Sequence, residues 1–408
     1  MTTQLTPQRE RWLLLTLASI QFTSVLDFMI MMPLGPQLTK LFGISASEFG
    51  FLVSAYTFSA GLSGFLAATY IDRFGRKRMM LTLYPLFGAA AFACSLAPSF
   101  GWLLAARVAS GFFGGVLMAL SQTIVAEVVP FERRGRAMGV VMTSFSVATV
   151  AGVPLALFLV SHFNWHAPFV AIAVMVSVFA LGASQTLPSL KGHVQTHADG
   201  NSVRLMLANL RAVLIDPNHL RAFAMSASMV FAGFAVIPYI TLYLQGNAGF
   251  ESTQIPYVYL FGGVSTLLTA RWIGHWSDRA GKAYAFRRLA LWMPLPLLGL
   301  TLSADLPMAG VLVVSSMLFV VMSGRMIPGM ALIGAEADPQ RRGSFMTLNS
   351  AVQSLAMGTA TLVGGLILGR DGNGNLTHYW VSALVGGGAS VLSFVLSAKL
   401  RLHGPGAK

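Results

Sequence analysis

Residues 68–78 read ATYIDRFGRKR, and residues 274–282, about half a chain further on, read GHWSDRAGK. Both contain Asp-Arg, any residue, Gly and then a basic residue. A second pair of matching stretches, AEVVPFERRGRAM at 126–138 and AEADPQRRGSFM at 335–346, is separated by nearly the same interval. Two independent matches at one separation indicate an internal repeat. We therefore expect the chain to consist of two similar halves.

The composition indicates a membrane protein. Apolar residues make up 55% of the 408-residue chain, and charged residues only 10%. A typical soluble domain carries about 25% charged residues, and a soluble protein this apolar would expose large apolar patches. The net charge of +13 does not predict a nucleic-acid partner. The basic residues stand in short clusters between apolar runs, and no RNA- or DNA-binding motif accompanies them.

Long apolar runs predict the number of membrane crossings. A spanning helix needs about 20 mostly apolar residues, and the sequence contains twelve such runs. We predict spans 1 to 12 at 12–34, 49–70, 79–97, 102–128, 137–160, 165–187, 220–245, 253–274, 286–304, 308–334, 345–369 and 379–400. The expected fold is an all-α membrane protein of two pseudo-symmetric six-helix bundles. These bundles are predicted at 1–187 and 220–408, with a cytoplasmic linker at 188–219.

The basic residues predict the orientation. Lys and Arg cluster at both termini and in every second loop, whereas the remaining loops hold only Lys40 and Arg370. Cytoplasmic loops carry the excess of basic residues. We predict a multi-pass protein of the cell (inner) membrane with both termini in the cytoplasm.

The repeated loops carry charges that we expect to pair on the cytoplasmic side. Arg76 lies four residues after Asp72, and Glu127 ends span 4 on the same face. Gly75 is expected to give this tight turn its backbone freedom. We predict a cytoplasmic gate that closes in the outward-facing state and breaks as the halves rock; the alternative is a set of solvated surface charges. The predicted gate residues are Asp72, Arg73, Gly75, Arg76, Glu127, Asp278, Arg279, Gly281, Lys282 and Glu336.

These loops closely resemble the signature of the major facilitator superfamily, in its twelve-span drug/proton antiporter subgroup. The resemblance extends from span 1 to span 12. The family's loop motif begins with Gly four residues before the Asp; Gly274 keeps it, whereas Ala68 replaces it in the first half. Arg107 and the glycines after it match a second family motif, and residues 151–154 partly match an antiporter motif. The resemblance implies alternating access, with spans 1, 4, 7 and 10 lining the cavity.

Ionisable residues inside a span are costly to bury and are functional candidates. Asp27 lies about 22 Å from the cytoplasmic end of span 1, and Arg107 lies about 9 Å from the opposite end of span 4. In a hydrocarbon core about 30 Å thick, the two residues lie at similar depth. If spans 1 and 4 are neighbours, as in the resembled family, they pair. We predict that Asp27 couples transport to protons; the alternatives are a static ion pair or no contact.

Other residues inside the spans are weaker candidates for the substrate cavity. Arg325 in span 10 either meets an anionic substrate group or forms a structural pair. Tyr239 and Tyr243 in span 7 suit an apolar cavity, and ordinary helix packing explains them equally well. Arg271 in span 8 is expected to extend towards the membrane interface.

Together these features predict a secondary active transporter that works by alternating access. We expect proton-coupled export of small amphipathic or drug-like compounds or sugars, as in a multidrug efflux antiporter. The alternatives are a carrier of anionic metabolites or lysolipids, or an uptake symporter. An enzyme would need a convergent nucleophile and base, and ATP-driven transport would need a Walker sequence; we find neither. We expect no cofactor and no metal. The expected partners of this monomer are a small-molecule substrate, protons and the bilayer.

Overall fold

The computed structural model describes residues 6–70, 74–129, 131–188, 211–336, 342–372 and 374–400. The predicted gate residues Asp72 and Arg73 lie outside these ranges. So does most of the predicted linker at 188–219. The described residues are mainly helical, as the sequence predicts.

In the described residues of the first half there are eight helices, seven of which follow predicted spans 1 to 6. They are α1 (Pro7–Ile30), α2 (Gly35–Phe42), α3 (Ala46–Tyr70), α4 (Arg76–Ser95), α5 (Phe100–Val128), α6 (Phe131–Val147), α7 (Val153–His162) and α8 (Ala167–Thr186). A π-helical turn, Ala148–Gly152, joins α6 to α7. The short α2 was not predicted, and it ends at Gly43, whose φ of +63° favours glycine.

The described part of the second half also has eight helices. They are α9 (Pro217–Phe234), α10 (Ile240–Gly246), α11 (Ile255–Ala280), α12 (Lys282–Trp292), α13 (Pro294–Thr301), α14 (Met308–Glu336), α15 (Arg342–Ile367) and α16 (Tyr379–Ala398). A 3-10 turn at Ile237–Tyr239 separates α9 from α10. Pro238 lies in this turn, and Pro294 lies where α12 gives way to α13. The helices are interrupted at both places because proline lacks the N–H that continues the helical ladder. Two residue pairs, β1 (Gly369–Arg370) and β2 (Leu376–Thr377), form a minimal antiparallel ladder.

Every predicted span has a helical counterpart. In the described part of the chain, nine helical segments are long and apolar enough to cross a membrane. The three other predicted spans correspond to α4, α11 and the pair α12–α13. Helix α4 begins with three basic residues, and Arg271 lies within α11. Pro294 divides predicted span 9 into two short helices.

The helices form two compact units. The first takes its described residues from Met1–Ile30 and Phe58–Met206, and the second from Met31–Thr57 and Leu207–Lys408. In the first unit, α1 packs against α6 and α8, and α4 packs against α5 and α8. In the second unit, α11 packs against α14, and α9 packs against α15 and α16. The predicted bundle limits, 1–187 and 220–408, stay a prediction.

Candidate functional site

Asp27 and Arg107 form an ion pair inside the first unit. Nη1 of Arg107 donates to Oδ2 of Asp27 at 2.8 Å and to the backbone carbonyl of Asp27 at 3.2 Å. Both side chains are completely buried. The contact predicted from the depth of the two residues in their helices is therefore present. Its part in proton coupling stays a prediction.

The pair uses only part of the aspartate's hydrogen-bonding capacity. A carboxylate has about four acceptor sites on two oxygens. Oδ1 of Asp27 is buried and has no hydrogen-bond partner among the described residues. Partnering a buried charge reduces its desolvation cost, but a lone oxygen keeps part of that cost. Oδ1 is thus the oxygen with free acceptor capacity.

The π-helical turn of predicted span 5 lies directly beside this part of α1. A Cβ added at Gly152 would lie 2.9 Å from Cδ1 of Leu26, the residue before Asp27. The hydroxyl of Thr149 donates to Sδ of Met29 at 3.6 Å. Single π-helical turns occur frequently at functional sites. The partly matched antiporter motif at 151–154 therefore begins within a turn that packs on α1.

Gly115, one of the glycines that follow Arg107, allows α5 to approach α3 closely. A Cβ at Gly115 would collide with the carbonyl of Ala60 and would lie 2.5 Å from Oγ of Ser63. The hydroxyl of Ser59 also donates to the carbonyl of Val108 at 2.7 Å. This packing fixes the helix that carries Arg107.

In the first half of the predicted gate, Arg76 pairs with Glu127. Nε and Nη2 of Arg76 donate to Oε1 of Glu127 at 2.9 and 2.6 Å. The Arg76 side chain is only 2% exposed. The prediction that the turn needs the backbone freedom of Gly75 was wrong. Its φ of −64° and ψ of 124° are accessible to any residue, because it acts as the extended N-cap of α4.

In the second half, Lys282 at the start of α12 pairs with Asp278 near the end of α11, four residues earlier. The hydrogen bond and the positive charge of Lys282 lower the pKa of Asp278 below its usual value. Gly281, between them, has φ +93° and ψ 136°, a conformation that requires glycine. Arg279 is exposed and makes no ion pair within the described ranges.

Glu336 is buried and does not join Asp278 or Lys282. Nδ2 of Asn218 donates to its Oε1 at 2.8 Å. Nε2 of His219 lies 3.7 Å from the same oxygen. Sequence reasoning did not identify Asn218 or His219, although both directly follow the Asp216–Pro217 start of α9. The two halves therefore hold their corresponding glutamates differently.

Arg325 is completely buried in the second unit. Nη1 donates to Oγ of Ser390 at 3.0 Å, and Nη2 donates to the carbonyl of Met229 at 2.6 Å. Among the described residues, no carboxylate lies within 4 Å of its guanidinium. This buried cation thus relies on uncharged acceptors.

The two predicted cavity tyrosines are buried in the second unit. The hydroxyl of Tyr239 donates to the carbonyl of Thr361, and its ring meets Phe49 edge-on at 6.3 Å. The ring of Tyr243 lies 4.8 Å from that of Tyr379. Their role in lining a substrate cavity stays a prediction.

Comparison with known proteins places these features in a family. A sequence model described as Major Facilitator Superfamily matches residues 17–324. The chain is 26% identical over 384 residues to the uncharacterized MFS-type transporter YtbD of Bacillus subtilis (strain 168), covering 93% of this chain and 94% of that protein. It is 28% identical over 366 residues to a chloramphenicol resistance protein of Streptomyces lividans, covering 88% and 89%.

Two solved structures show the same fold. The crystal structure of a D-xylose-proton symporter has a TM-score of 0.77 and 17% identity, covering 98% of each chain. A bacterial homolog of the human lysosomal transporter Spinster has a TM-score of 0.71 and 15% identity, covering 97% of this chain and 98% of that one.

Proposed function

Because the chain belongs to the Major Facilitator Superfamily, we propose that it is a secondary active transporter that exports small amphipathic or drug-like compounds, or sugars, in exchange for protons. The buried ion pair of Asp27 and Arg107 carries this proposal. We place the protein in the cell (inner) membrane as a monomer with both termini in the cytoplasm.

The chemistry of the pair explains how a proton would drive the cycle. While Asp27 is ionised, its charge balances that of Arg107 within a fully buried setting. Protonation at Oδ1 removes the negative charge and leaves the guanidinium uncompensated, which is costly inside a membrane. A conformation that exposes Arg107 or brings a substrate acceptor to it relieves this cost. Proton binding and rearrangement of the bundle are thereby linked.

The cytoplasmic gate is the second part of the proposal. We assign this role to Arg76 and Glu127 in the first half, together with Asp72 and Arg73. In the second half, the exposed Asp278–Lys282 pair and the buried Glu336 act separately. Breaking the Arg76–Glu127 contact would release the start of α4 from the end of α5.

The substrate class rests on one relative. The chloramphenicol resistance protein of Streptomyces lividans is named for resistance to a drug, and it is 28% identical to this chain over most of both chains. An apolar cavity with few charges suits an amphipathic compound. We therefore place drug-like compounds ahead of sugars.

Proteoliposomes with an imposed pH gradient test the coupling. Asp27→Asn keeps the size of the side chain but removes the charge that binds a proton. We expect it to lose transport driven by the pH gradient while retaining downhill exchange of substrate. Asp305→Asn is the control, because Asp305 is exposed and lies outside the spans. Undiminished proton-driven transport by Asp27→Asn would contradict the proposal.

Arg325 favours a second candidate, a carrier of anionic metabolites or lysolipids. A buried guanidinium without a carboxylate suits the anionic group of a substrate. Competition between compounds that differ only in charge decides between the two candidates: inhibition by the anionic member alone favours the carrier. The direction of substrate movement under a pH gradient separates export from uptake by a symporter.

A further inference from the structure

Three aromatic side chains form a continuous row where α11 meets α12. The rings of Trp272 and Trp276 stack 6.2 Å apart, with 11° between their planes. Tyr284 meets Trp276 edge-on at 6.3 Å. Cζ of Arg288 lies 5.1 Å from the centre of the Tyr284 ring, on its face. Trp272 is 69% exposed, so the row is open to the surroundings of the protein.

The surface that carries this row is apolar and exposed. Leu268, one turn before Trp272, is 74% exposed, and its neighbour Leu267 is 47% exposed. In a membrane-spanning protein, exposed leucines on a span contact the hydrocarbon, because lipid is the solvent for apolar side chains. Residues three and four apart lie on the same face of a helix. Arg271 and Trp272 therefore share this face with Leu268.

Arg271 places a positive charge on that face. It is exposed and lies about 13 Å along the axis before the end of α11 at Ala280. A charge at such a position is costly unless the side chain reaches a polar partner at the interface. The imidazole Nδ1 of His275 is hydrogen-bonded to the backbone carbonyl of Arg271, one turn away, and so holds the main chain rather than the guanidinium.

The local charges are not balanced by protein carboxylates. Arg271, Arg279 and Arg288 are exposed, and none forms an ion pair with a carboxylate in the part of the chain that the structure describes. The nearby Asp278 and Lys282 neutralise each other. The hairpin of α11 and α12 thus carries an excess of guanidinium groups beside an apolar surface lined by aromatic rings.

We propose that the Trp272–Trp276–Tyr284 row and the arginines beside it form a binding site for one anionic phospholipid. The phosphate accepts hydrogen bonds from Arg271 and Arg288, because guanidinium groups match phosphate oxygens with charge-assisted bonds. The acyl chains lie along Trp272 and Leu268. Trp and Tyr side chains favour the level of the headgroups, where one edge is apolar and the other is wet. The headgroup has a net negative charge, because no cation offsets its phosphate, and this charge attracts the excess of arginines.

Lipid binding to the purified full-length protein in detergent tests the site. Native mass spectrometry would compare phosphatidylglycerol with phosphatidylcholine carrying the same acyl chains. We expect tighter binding of phosphatidylglycerol. Arg271→Gln and Arg288→Gln should each weaken its binding about fivefold, as the attraction of one surface arginine for anionic lipid predicts. Both side chains are exposed, so the unfolding midpoint in lipid-free detergent should not change; should one variant misfold, the other decides.

Arg11→Gln is the matched control. Arg11 is exposed beside a single exposed tryptophan, Trp12, in the first turns of α1. If basic residues attract anionic lipid without a specific site, Arg11→Gln and Arg271→Gln should weaken phosphatidylglycerol binding equally. That result would overturn the proposal. Equal affinity for the two lipids would also overturn it. Glycerol phosphate carries the headgroup charge without acyl chains, and we expect it not to displace the lipid; displacement at matched concentration would indicate a soluble-anion site instead.

Discussion

The hydroxyl of Tyr239 donates a hydrogen bond to the carbonyl of Thr361 and occupies a gap that exists only because Gly50 and Gly365 have no side chains. A Cβ at Gly365 would lie 2.6 Å from this hydroxyl, and one at Gly50 would collide with it. The 3-10 turn that ends at Tyr239 thereby connects the start of α3 to α15 within the second unit. Helices α3 and α15 lie in opposite halves of the sequence.

Gly50→Ala should therefore destabilise the protein through this hydroxyl. Forcing extra methyl groups into a packed core costs about 1–3 kcal/mol. We expect a lower midpoint of thermal unfolding in detergent. Tyr239→Phe alone should cost about 1 kcal/mol, the contribution of one hydrogen bond. The double variant should be more stable than Gly50→Ala, because the colliding oxygen is gone.

Gly182→Ala is the control for this cycle, because a Cβ there would meet no atom of the described residues within 4 Å. It should not lower the unfolding midpoint, since Gly182 lies inside α8 and alanine is the better helix former. A double variant as unstable as the sum of its single changes would show that Gly50 and Tyr239 act independently.

The two glycines of the second-half loop motif should respond in opposite ways to alanine. Gly281 has φ +93°, and alanine there should cost about 1–3 kcal/mol of backbone strain. Gly274 lies within α11, with no atom within 4 Å of an added Cβ. Gly274→Ala should stabilise by about 0.5–1 kcal/mol, since alanine is the better helix former. Thermal unfolding of both variants measures this; a loss of stability in Gly274→Ala would contradict it.

Position 274 corresponds to Ala68 in the first half, so Gly274→Ala makes the two loop motifs alike at their first residue. The available space at this position indicates that glycine there is not a packing requirement of the second half.

Ser390→Ala should destabilise the surroundings of Arg325. The hydroxyl of Ser390 accepts from Arg325 and donates to the carbonyl of Ala290 at 2.8 Å. Removing it leaves two buried polar groups short of a partner, at about 1–3 kcal/mol. Ser393→Ala is the control, because its hydroxyl bonds only the carbonyl of Ser390 in its own helix. Equal unfolding midpoints for the two variants would contradict a bridging role for Ser390.

Glu127→Gln should slow transport more than Asp278→Asn. Glu127 accepts two hydrogen bonds from the nearly buried Arg76, and bonds to charged groups contribute about 1.5–3 kcal/mol. We expect a transport rate reduced about tenfold or more. The Asp278–Lys282 pair is exposed to solvent and salt, so its loss should have a smaller effect. Initial rates in proteoliposomes give the comparison; a larger loss from Asp278→Asn would reverse our assignment of the gate.

The positions of the long helices followed from hydropathy. The Asp27–Arg107 pair followed from helical rise together with the adjacency of spans 1 and 4 that the family resemblance implies. The neighbours of Glu336 did not. The internal repeat placed Glu336 in a charge network with Lys282. Tertiary packing instead brings Asn218 and His219 to Glu336, and no spacing rule in the sequence connects them. Pro154 lies in predicted span 5 and lacks the N–H that continues the helical ladder. Whether the helix kinks or widens there depends on the shape of α1 against Gly152, which only the folded chain supplies.

The π-helical turn at Ala148–Gly152 also alters how predicted span 5 should be read on a helical wheel. Such a turn holds about one residue more than an α-helical turn. One residue corresponds to about 100° of rotation, so the angular register of α6 does not continue into α7. Side chains in α7 that a single uninterrupted wheel would orient towards lipid therefore point to another side. Positions for labelling or cross-linking from Val153 onwards have to be chosen on a separate helical wheel that begins at Val153.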